Sequence, residues 1–213
     1  MGTTGAEARQ ARTRSSQPKD EFAALLALWF AVAVFAAVTA LATATPVSAH
    51  PSGVAPSLNS ERQVVMKCFS NRYCSYYEWS RGPWNNQPGN PSIYNAGTGH
   101  GSVSLRIGED VRYENVSWVA IWQSTDTPDT IYNNNYYLLY APFAGNTGAR
   151  RTVSTHEIGH AFGLGHAINT GEGEDYCRTS VMFPNTGSAT KCGQVGYLRS
   201  HDEPDWVSLW GTT

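Results

Sequence analysis

Residues 156–166 read HEIGHAFGLGH, a stretch in which three histidines and three glycines recur at short intervals. His156 and His160 are four positions apart, about one helical turn, so a helix places both imidazoles on one face. His166 can return to the same point only if the helix ends and the chain turns sharply. Gly163 can make that turn, because glycine adopts positive φ without a Cβ penalty. The spacing therefore predicts three histidines around one metal ion.

Glu157 follows the first of these histidines directly. Its carboxylate can reach a water held by the metal without itself being a ligand, which is the position of a general base. Zn²⁺ in catalytic sites takes three protein ligands and leaves a fourth position open. The motif H-E-x-x-H alone arises by chance in roughly one chain in 40 of this length, and the glycine and third histidine lower that to roughly one in ten thousand. Core histidines satisfied by hydrogen bonds would not require all five residues in register. The sequence predicts zinc ligands at His156, His160 and His166.

Strands and helices around this stretch predict an α+β or mixed α/β fold. Four apolar or alternating segments predict strands: 62–69, 102–107, 117–124 (as a buried strand) and 136–143. Residues 70–100 are rich in turn formers; a short helix within 76–96 stays open, although no clear helical stripe supports it. The segment 150–164 predicts a helix with a glycine stop, and a capping box at Ser200–Glu203 predicts a last helix that ends at Gly211.

The N-terminal part of the chain has the layout of a secretory signal. Residues 1–21 are polar and basic, and an uninterrupted apolar run from Phe22 to Ala44 is followed by small residues that end in Ala49. This predicts a signal peptide at 1–49, a loose lead-in at 50–62 and a catalytic domain at 63–213. The alternative is a membrane anchor, because the apolar run is long enough to span a bilayer. Both interpretations export the domain, and membrane contact is expected only if the segment is not cleaved.

Composition and cysteines agree with export. The 213-residue chain has 15 Lys and Arg against 17 Asp and Glu, and it contains no basic run, so no nucleic-acid partner is expected. An even number of cysteines in an oxidising compartment predicts two disulfides. Three pairings are possible, and the local pairs Cys68–Cys74 and Cys177–Cys192 are favoured because each closes a short polar loop.

The motif residues also carry a family resemblance. HEIGHAFGLGH matches the metzincin pattern H-E-x-x-H-x-x-G-x-x-H, and Ser180–Pro184, SVMFP, resembles the Met-turn of that family. The Met-aromatic-Pro order and the closing HDEPDWVSLWG are most similar to the matrixin branch, over about residues 150–213. The resemblance implies a mixed twisted sheet packed on a central zinc-binding helix, with a C-terminal helix after the Met-turn. It also implies that Met182 is a hydrophobic floor beneath the zinc.

The resemblance further implies a secreted, monomeric zinc endopeptidase that acts on protein or peptide substrates. A strand within Tyr136–Phe143 would pair with the extended substrate. The wall of the S1′ pocket would be formed by Pro184, Asn185 and Thr186. Phe183 lacks the hydroxyl with which some metzincins help to stabilise the oxyanion at this position.

Other functions stay open at this point. A zinc amidase acting on non-protein amides would use the same chemistry, and only the cleft decides between the two. A catalytically silent zinc-dependent binding protein is the other alternative, although the intact Glu157 argues against it. An acidic cluster, Glu172, Glu174 and Asp175, offers the ligands that Ca²⁺ prefers. A solvated acidic loop is the favoured interpretation of this cluster, because it has no EF-hand-like spacing.

Overall fold

The computed structural model describes residues 57–89, 91–97, 102–167, 180–183 and 196–211, which belong to one compact unit, Val47–Thr213. Its strands are β1 Gln63–Cys68, β2 Ser92–Asn95, β3 Leu105–Val111, β4 Ala120–Gln123 and β5 Asp129–Asn134. Its helices in these ranges are α1 Cys74–Asn85, α2 Asn135–Leu138, α3 Thr147–Ala161 and α4 Asp202–Trp210. Within the same ranges, no helix combines the length and apolarity that crossing a membrane requires.

Several predicted features lie outside the described residues. They are the signal segment 1–49, most of the lead-in 50–62, the acidic cluster Glu172, Glu174 and Asp175, the cysteines Cys177 and Cys192, and the pocket wall Pro184, Asn185 and Thr186.

The strands form one mixed sheet in the order β2-β1-β3-β5-β4. All neighbours are parallel except β4, which pairs antiparallel with β5 at one end of the sheet. The parallel neighbours β1 and β2 are joined by α1, as expected because parallel strands need a crossover connection. The predicted mixture of helices with a mixed sheet is therefore what the chain forms.

The core lies between one face of the sheet and the helices. Alternating strand residues Val64, Met66, Leu105, Ile107 and Ile131 contribute to it, each at most 2% exposed. Helix α1 packs against α3, and the Trp84 indole of α1 donates a hydrogen bond to the Thr155 carbonyl at 2.9 Å. Helix α3 also contacts β4. These contacts fix α3 between α1 and the antiparallel strand.

The predicted strand at 136–143 is wrong. The side chain of Asn134 accepts a hydrogen bond from the backbone N–H of Tyr136 and caps α2, after which the chain continues in turns. The strand is formed instead by the preceding residues 129–134. Its Asn133 and Asn134 are 1% and 0% exposed; Asn133 Oδ1 accepts from the Tyr77 hydroxyl at 2.8 Å, and the Asn134 side chain donates to the Tyr113 carbonyl at 2.9 Å.

The other element predictions differ in detail. The strand predicted at 62–69 is confirmed as β1, and the one predicted at 102–107 begins later, at Leu105. The strand predicted at 117–124 is shorter, and it is a half-buried end strand rather than a buried one. The capping box is wrong, because His201 is the N-cap of α4 and no side chain caps it. The short helix that the sequence left open within 76–96 corresponds to α1, which begins earlier, at Cys74, and contains Pro83.

The disulfide Cys68–Cys74 is confirmed. It joins the last residue of β1 to the first residue of α1. The bridge therefore closes the turn that leads from the sheet into the helix packed against α3.

Candidate metal centre

Helix α3, Thr147–Ala161, carries the predicted motif, and it begins and ends three residues earlier than the predicted range 150–164. Its N-cap is Asn146, whose side chain accepts from the Ala149 backbone N–H at 3.0 Å. Gly163 has a φ of 87°, and the backbone N–H of Leu164 reaches back to the Gly159 carbonyl at 3.0 Å. This closes the helix with a left-handed residue, as in a Schellman motif. The predicted glycine turn after the helix is confirmed.

The turn brings the three histidines together. The Nε2 atom of His160 lies 3.1 Å from Nε2 of His156 and 3.2 Å from Nε2 of His166. One ring nitrogen from each residue lies within 4.8 Å of the others. The three side chains predicted as ligands are therefore close enough to hold one metal ion.

Hydrogen bonds at the opposite ring nitrogens fix which nitrogen faces the centre. His156 Nδ1 lies 2.8 Å from the Val181 carbonyl, and His160 Nδ1 lies 2.8 Å from the Leu164 carbonyl. A carbonyl oxygen can only accept, so in both rings Nδ1 carries the proton and the neutral Nε2 carries a lone pair. Two lone pairs at 3.1 Å cannot bond to each other, whereas a cation between them satisfies both. The donor set fits a divalent metal such as zinc.

Burial keeps these imidazoles neutral. It lowers the pKa of His156 well below its ordinary value, lowers the pKa of His160 to about 4, and lowers the pKa of His166 in the same direction. A proton is therefore a poor means of relieving the contact between the Nε2 atoms. Metal binding requires neutral imidazole, so the same burial favours coordination.

Glu157 is a buried carboxyl group beside the first histidine, 4% exposed. Burial raises its pKa to about 8, and a hydrogen bond from the Trp122 backbone opposes the rise. A cation held by the adjacent histidines would lower this pKa, because it stabilises the carboxylate. The group is thus placed to exchange a proton near neutral pH, as a general base must.

Met182 packs against the same helix. It is 1% exposed, and a Cβ added at Gly159 would collide with its sulfur and lie 2.9 Å from the Trp84 ring. Gly159 directly precedes His160, so the methionine lies close beneath the ligand-bearing turn of α3. The Met182 carbonyl also accepts from the Ala167 backbone N–H at 3.0 Å. Its partly buried neighbour Phe183 packs on the core.

A cleft of about 320 Å³ opens over the histidines and Glu157. Its opposite wall is residues 117–122, which include most of β4. The Trp122 ring lies parallel to the His160 ring, at an angle of 13° and a centroid distance of 6.3 Å. Trp122 was not predicted to lie at the site, and its position in a short apolar segment before the motif was the available signal. Tyr136–Phe143, predicted to border the substrate, does not line this cleft.

Comparison of the sequence with known proteins finds no matching family model and no matching curated protein. The metzincin resemblance stays a prediction from the motif residues.

Proposed function

We propose that this chain is a secreted zinc endopeptidase of the metzincin type, in which His156, His160 and His166 hold the metal and Glu157 is the general base. One observation carries the proposal. The three Nε2 atoms converge beside a buried carboxyl group at the base of an open cleft, and in His156 and His160 the bonds of Nδ1 to carbonyl groups leave Nε2 as a lone-pair donor. Neutral imidazoles with their other nitrogens anchored on carbonyls are typical of catalytic zinc ligands.

The residues of the chain divide the chemistry between them. When bound, zinc supplies Lewis acidity that polarises a carbonyl oxygen and lowers the pKa of a water molecule. Glu157 faces the cleft and accepts the proton of the attacking water, then delivers it to the leaving nitrogen. Trp122 lies alongside the His160 ring and lines the same cleft. In this proposal Glu157 is both the base that takes the proton from water and the acid that gives it to the leaving nitrogen.

The position of β4 favours a polypeptide substrate. It is the end strand of the sheet in the described residues, and it forms one wall of the cleft. An extended peptide can add to such an edge by main-chain hydrogen bonds. This strand replaces Tyr136–Phe143 as the proposed partner of the substrate. An amidase for compact non-protein amides would have no use for a strand edge along its cleft.

Export is part of the proposal. It rests on the signal-like segment 1–49 and is supported by the disulfide Cys68–Cys74, since disulfides persist in oxidising compartments.

The test is digestion of a mixed peptide library by the full chain, read by mass spectrometry. We expect internal cuts that vanish when a chelator is added and return with zinc. Glu157→Ala should abolish the cuts, whereas Glu78→Ala, at an exposed position of α1, should retain them. A folded, zinc-loaded protein that cuts no peptide would contradict the endopeptidase. Cleavage of non-protein amides by the same sample would support the amidase instead.

A further inference from the structure

Asp202 is a buried carboxylate that lies far from the histidines in sequence and takes no part in the chemistry proposed above. It is the first residue of α4 and is 0% exposed. A carboxylate removed from water is costly unless hydrogen-bond donors surround it. The partners of Asp202 therefore show what the fold uses it for.

These partners belong mainly to one turn, Ser180–Met182. The carboxylate accepts from the Ser180 hydroxyl at 2.6 Å and from the Val181 backbone N–H at 2.9 Å. The Ser180 hydroxyl in turn accepts from the Met182 backbone N–H at 2.9 Å. A further bond from the Arg199 backbone N–H, at 2.7 Å, ties the carboxylate to the segment before α4. The N–H groups of the turn are thus directed at Asp202, directly or through Ser180.

The carbonyl groups of the same turn are directed at the histidine segments. The Val181 carbonyl accepts from His156 Nδ1 at 2.8 Å. The Met182 carbonyl accepts from the backbone N–H of Ala167, the residue after His166, at 3.0 Å. The turn Ser180–Met182 therefore donates hydrogen bonds to Asp202. Its carbonyl groups accept hydrogen bonds from His156 and from the residue after His166.

We propose that Asp202 is a positioning residue of the metal centre, acting through the turn Ser180–Met182 on His156 and on the segment that carries His166. The proposal rests on the zinc site proposed above. By fixing Val181, Asp202 fixes the carbonyl that selects the tautomer and ring orientation of His156. Partners that orient a ligand in this way affect metal affinity, although they do not touch the metal.

A second buried serine elsewhere in the fold, Ser80, provides a matched control for a role in stability alone. Ser80 of α1 is also 0% exposed, and its hydroxyl lies 2.6 Å from that of Ser154 and accepts from Thr155 at 2.9 Å. This network holds α3 from the side of α1 and has no contact with the turn. Ser180→Ala and Ser80→Ala therefore remove the same atom from equally buried sites, and only the first interrupts the link to the metal centre.

The experiment compares the full chain with Asp202→Asn, Ser180→Ala and Ser80→Ala. Zinc affinity is measured by competition with a chelator, the visible absorption of the Co²⁺-loaded protein reports ligand geometry, and thermal unfolding is followed in chelator. We expect Asp202→Asn and Ser180→Ala to weaken zinc binding about 10–100-fold and to change the Co²⁺ spectrum. Ser80→Ala should lower the unfolding temperature and leave affinity and spectrum as in the wild type.

The outcomes separate the proposed metal centre from the positioning role of Asp202. A wild-type chain that binds no zinc overturns the proposed metal centre, and this inference with it. A wild type that binds tightly, with folded Asp202→Asn and Ser180→Ala binding equally well, overturns the positioning role alone. An equal loss of zinc affinity in Ser80→Ala and Ser180→Ala also overturns the positioning role. If Asp202→Asn does not fold, Ser180→Ala decides by the same criterion.

Discussion

Helix α3 buries polar side chains on two sides, and the two sets are arranged in different ways. Towards α1, the hydroxyls of Ser154 and Thr155 both bond to Ser80, so the polar groups satisfy one another. Towards the cleft, the Nε2 atoms of His156 and His160 face each other at 3.1 Å as two acceptors. Buried groups that complete their own hydrogen bonds hold a fold together, whereas two facing acceptors form an arrangement that a bound cation can satisfy. Adjacent residues of one helix thus divide between groups that satisfy one another and groups close enough to hold a metal ion.

The largest expected effect tests the cleft side. Glu157→Gln should lower the rate of peptide hydrolysis about 10²–10⁴-fold, because the amide cannot accept the proton of water. Zinc affinity should be retained. The unfolding temperature should stay the same or rise, because a buried carboxyl group with a raised pKa is replaced by a neutral one.

Ser154→Ala is the control for this prediction. It removes a hydroxyl from the α1 side of the same helix, so it should lower stability and leave the rate unchanged. A lower rate in Ser154→Ala together with an unchanged rate in Glu157→Gln would contradict the distinction between the two sides of the helix.

Removal of zinc is the next test. Zinc at 100 times its dissociation constant should stabilise the fold by about 2.7 kcal/mol. For a domain of this size, that raises the unfolding temperature by roughly 5–10 °C, which calorimetry with and without chelator can measure. His160→Ala should abolish the difference, since it removes the histidine whose Nε2 contacts both others. A shift of equal size in His160→Ala would place the zinc elsewhere.

Two glycines provide a smaller, opposed pair of effects. A Cβ at Gly159 would collide with Met182 and Trp84, so Gly159→Ala should lower the free energy of unfolding by about 1–3 kcal/mol. Gly82 of α1 has nothing within 4 Å of its added Cβ, so Gly82→Ala should raise it by about 0.5–1 kcal/mol. Urea unfolding of both variants measures the difference. Equal changes would mean that the contact beneath His160 is loose.

The smallest expected effect concerns a tyrosine on the α1 side. Burial is the main cause that raises the pKa of Tyr73 from 10.0 to about 12, and its hydroxyl donates to Asn135 at 2.6 Å. The stabilisation is complete below pH 10 and is lost as the pH rises towards 12, because the unfolded chain ionises first. Tyr73→Phe should therefore cost about 1 kcal/mol at pH 7, and less in this alkaline range. A cost that grows above pH 10 would contradict the assigned direction.

The sequence was sufficient for the parts of the site that local geometry determines. Three histidines and Gly163 lie within one short stretch, so helical spacing and the conformational freedom of glycine fix how they meet. The same holds for Cys68–Cys74, whose partners are separated by only a few residues. These features need no knowledge of the remaining chain.

The parts that failed depend on tertiary contacts. The apolar residues 136–143 resemble a strand, but the cap by Asn134 turns the chain, and Tyr77 satisfies Asn133 inside the real strand β5. Ser180 and Asp202 are 22 residues apart, so their hydrogen bond cannot be read from the local sequence. The local pattern Ser200–Glu203 resembles a capping box instead. In the first case a local side-chain cap acts together with the distant Tyr77–Asn133 bond, and in the second Asp202 bonds to a segment 22 residues earlier; the apolar pattern alone indicates none of these bonds.

The shortness of β4 has a consequence for contacts between molecules. The strand has four residues and forms one end of the sheet in the described part of the chain. Since alternate residues direct their backbone groups outward, its free edge offers about four hydrogen bonds. A peptide bound in the cleft can form all of these hydrogen bonds, and the proposed metal centre would add to its binding. Two copies of the chain would gain only this short ladder, so the edge proposed to bind a peptide gives little support to sheet-to-sheet aggregation.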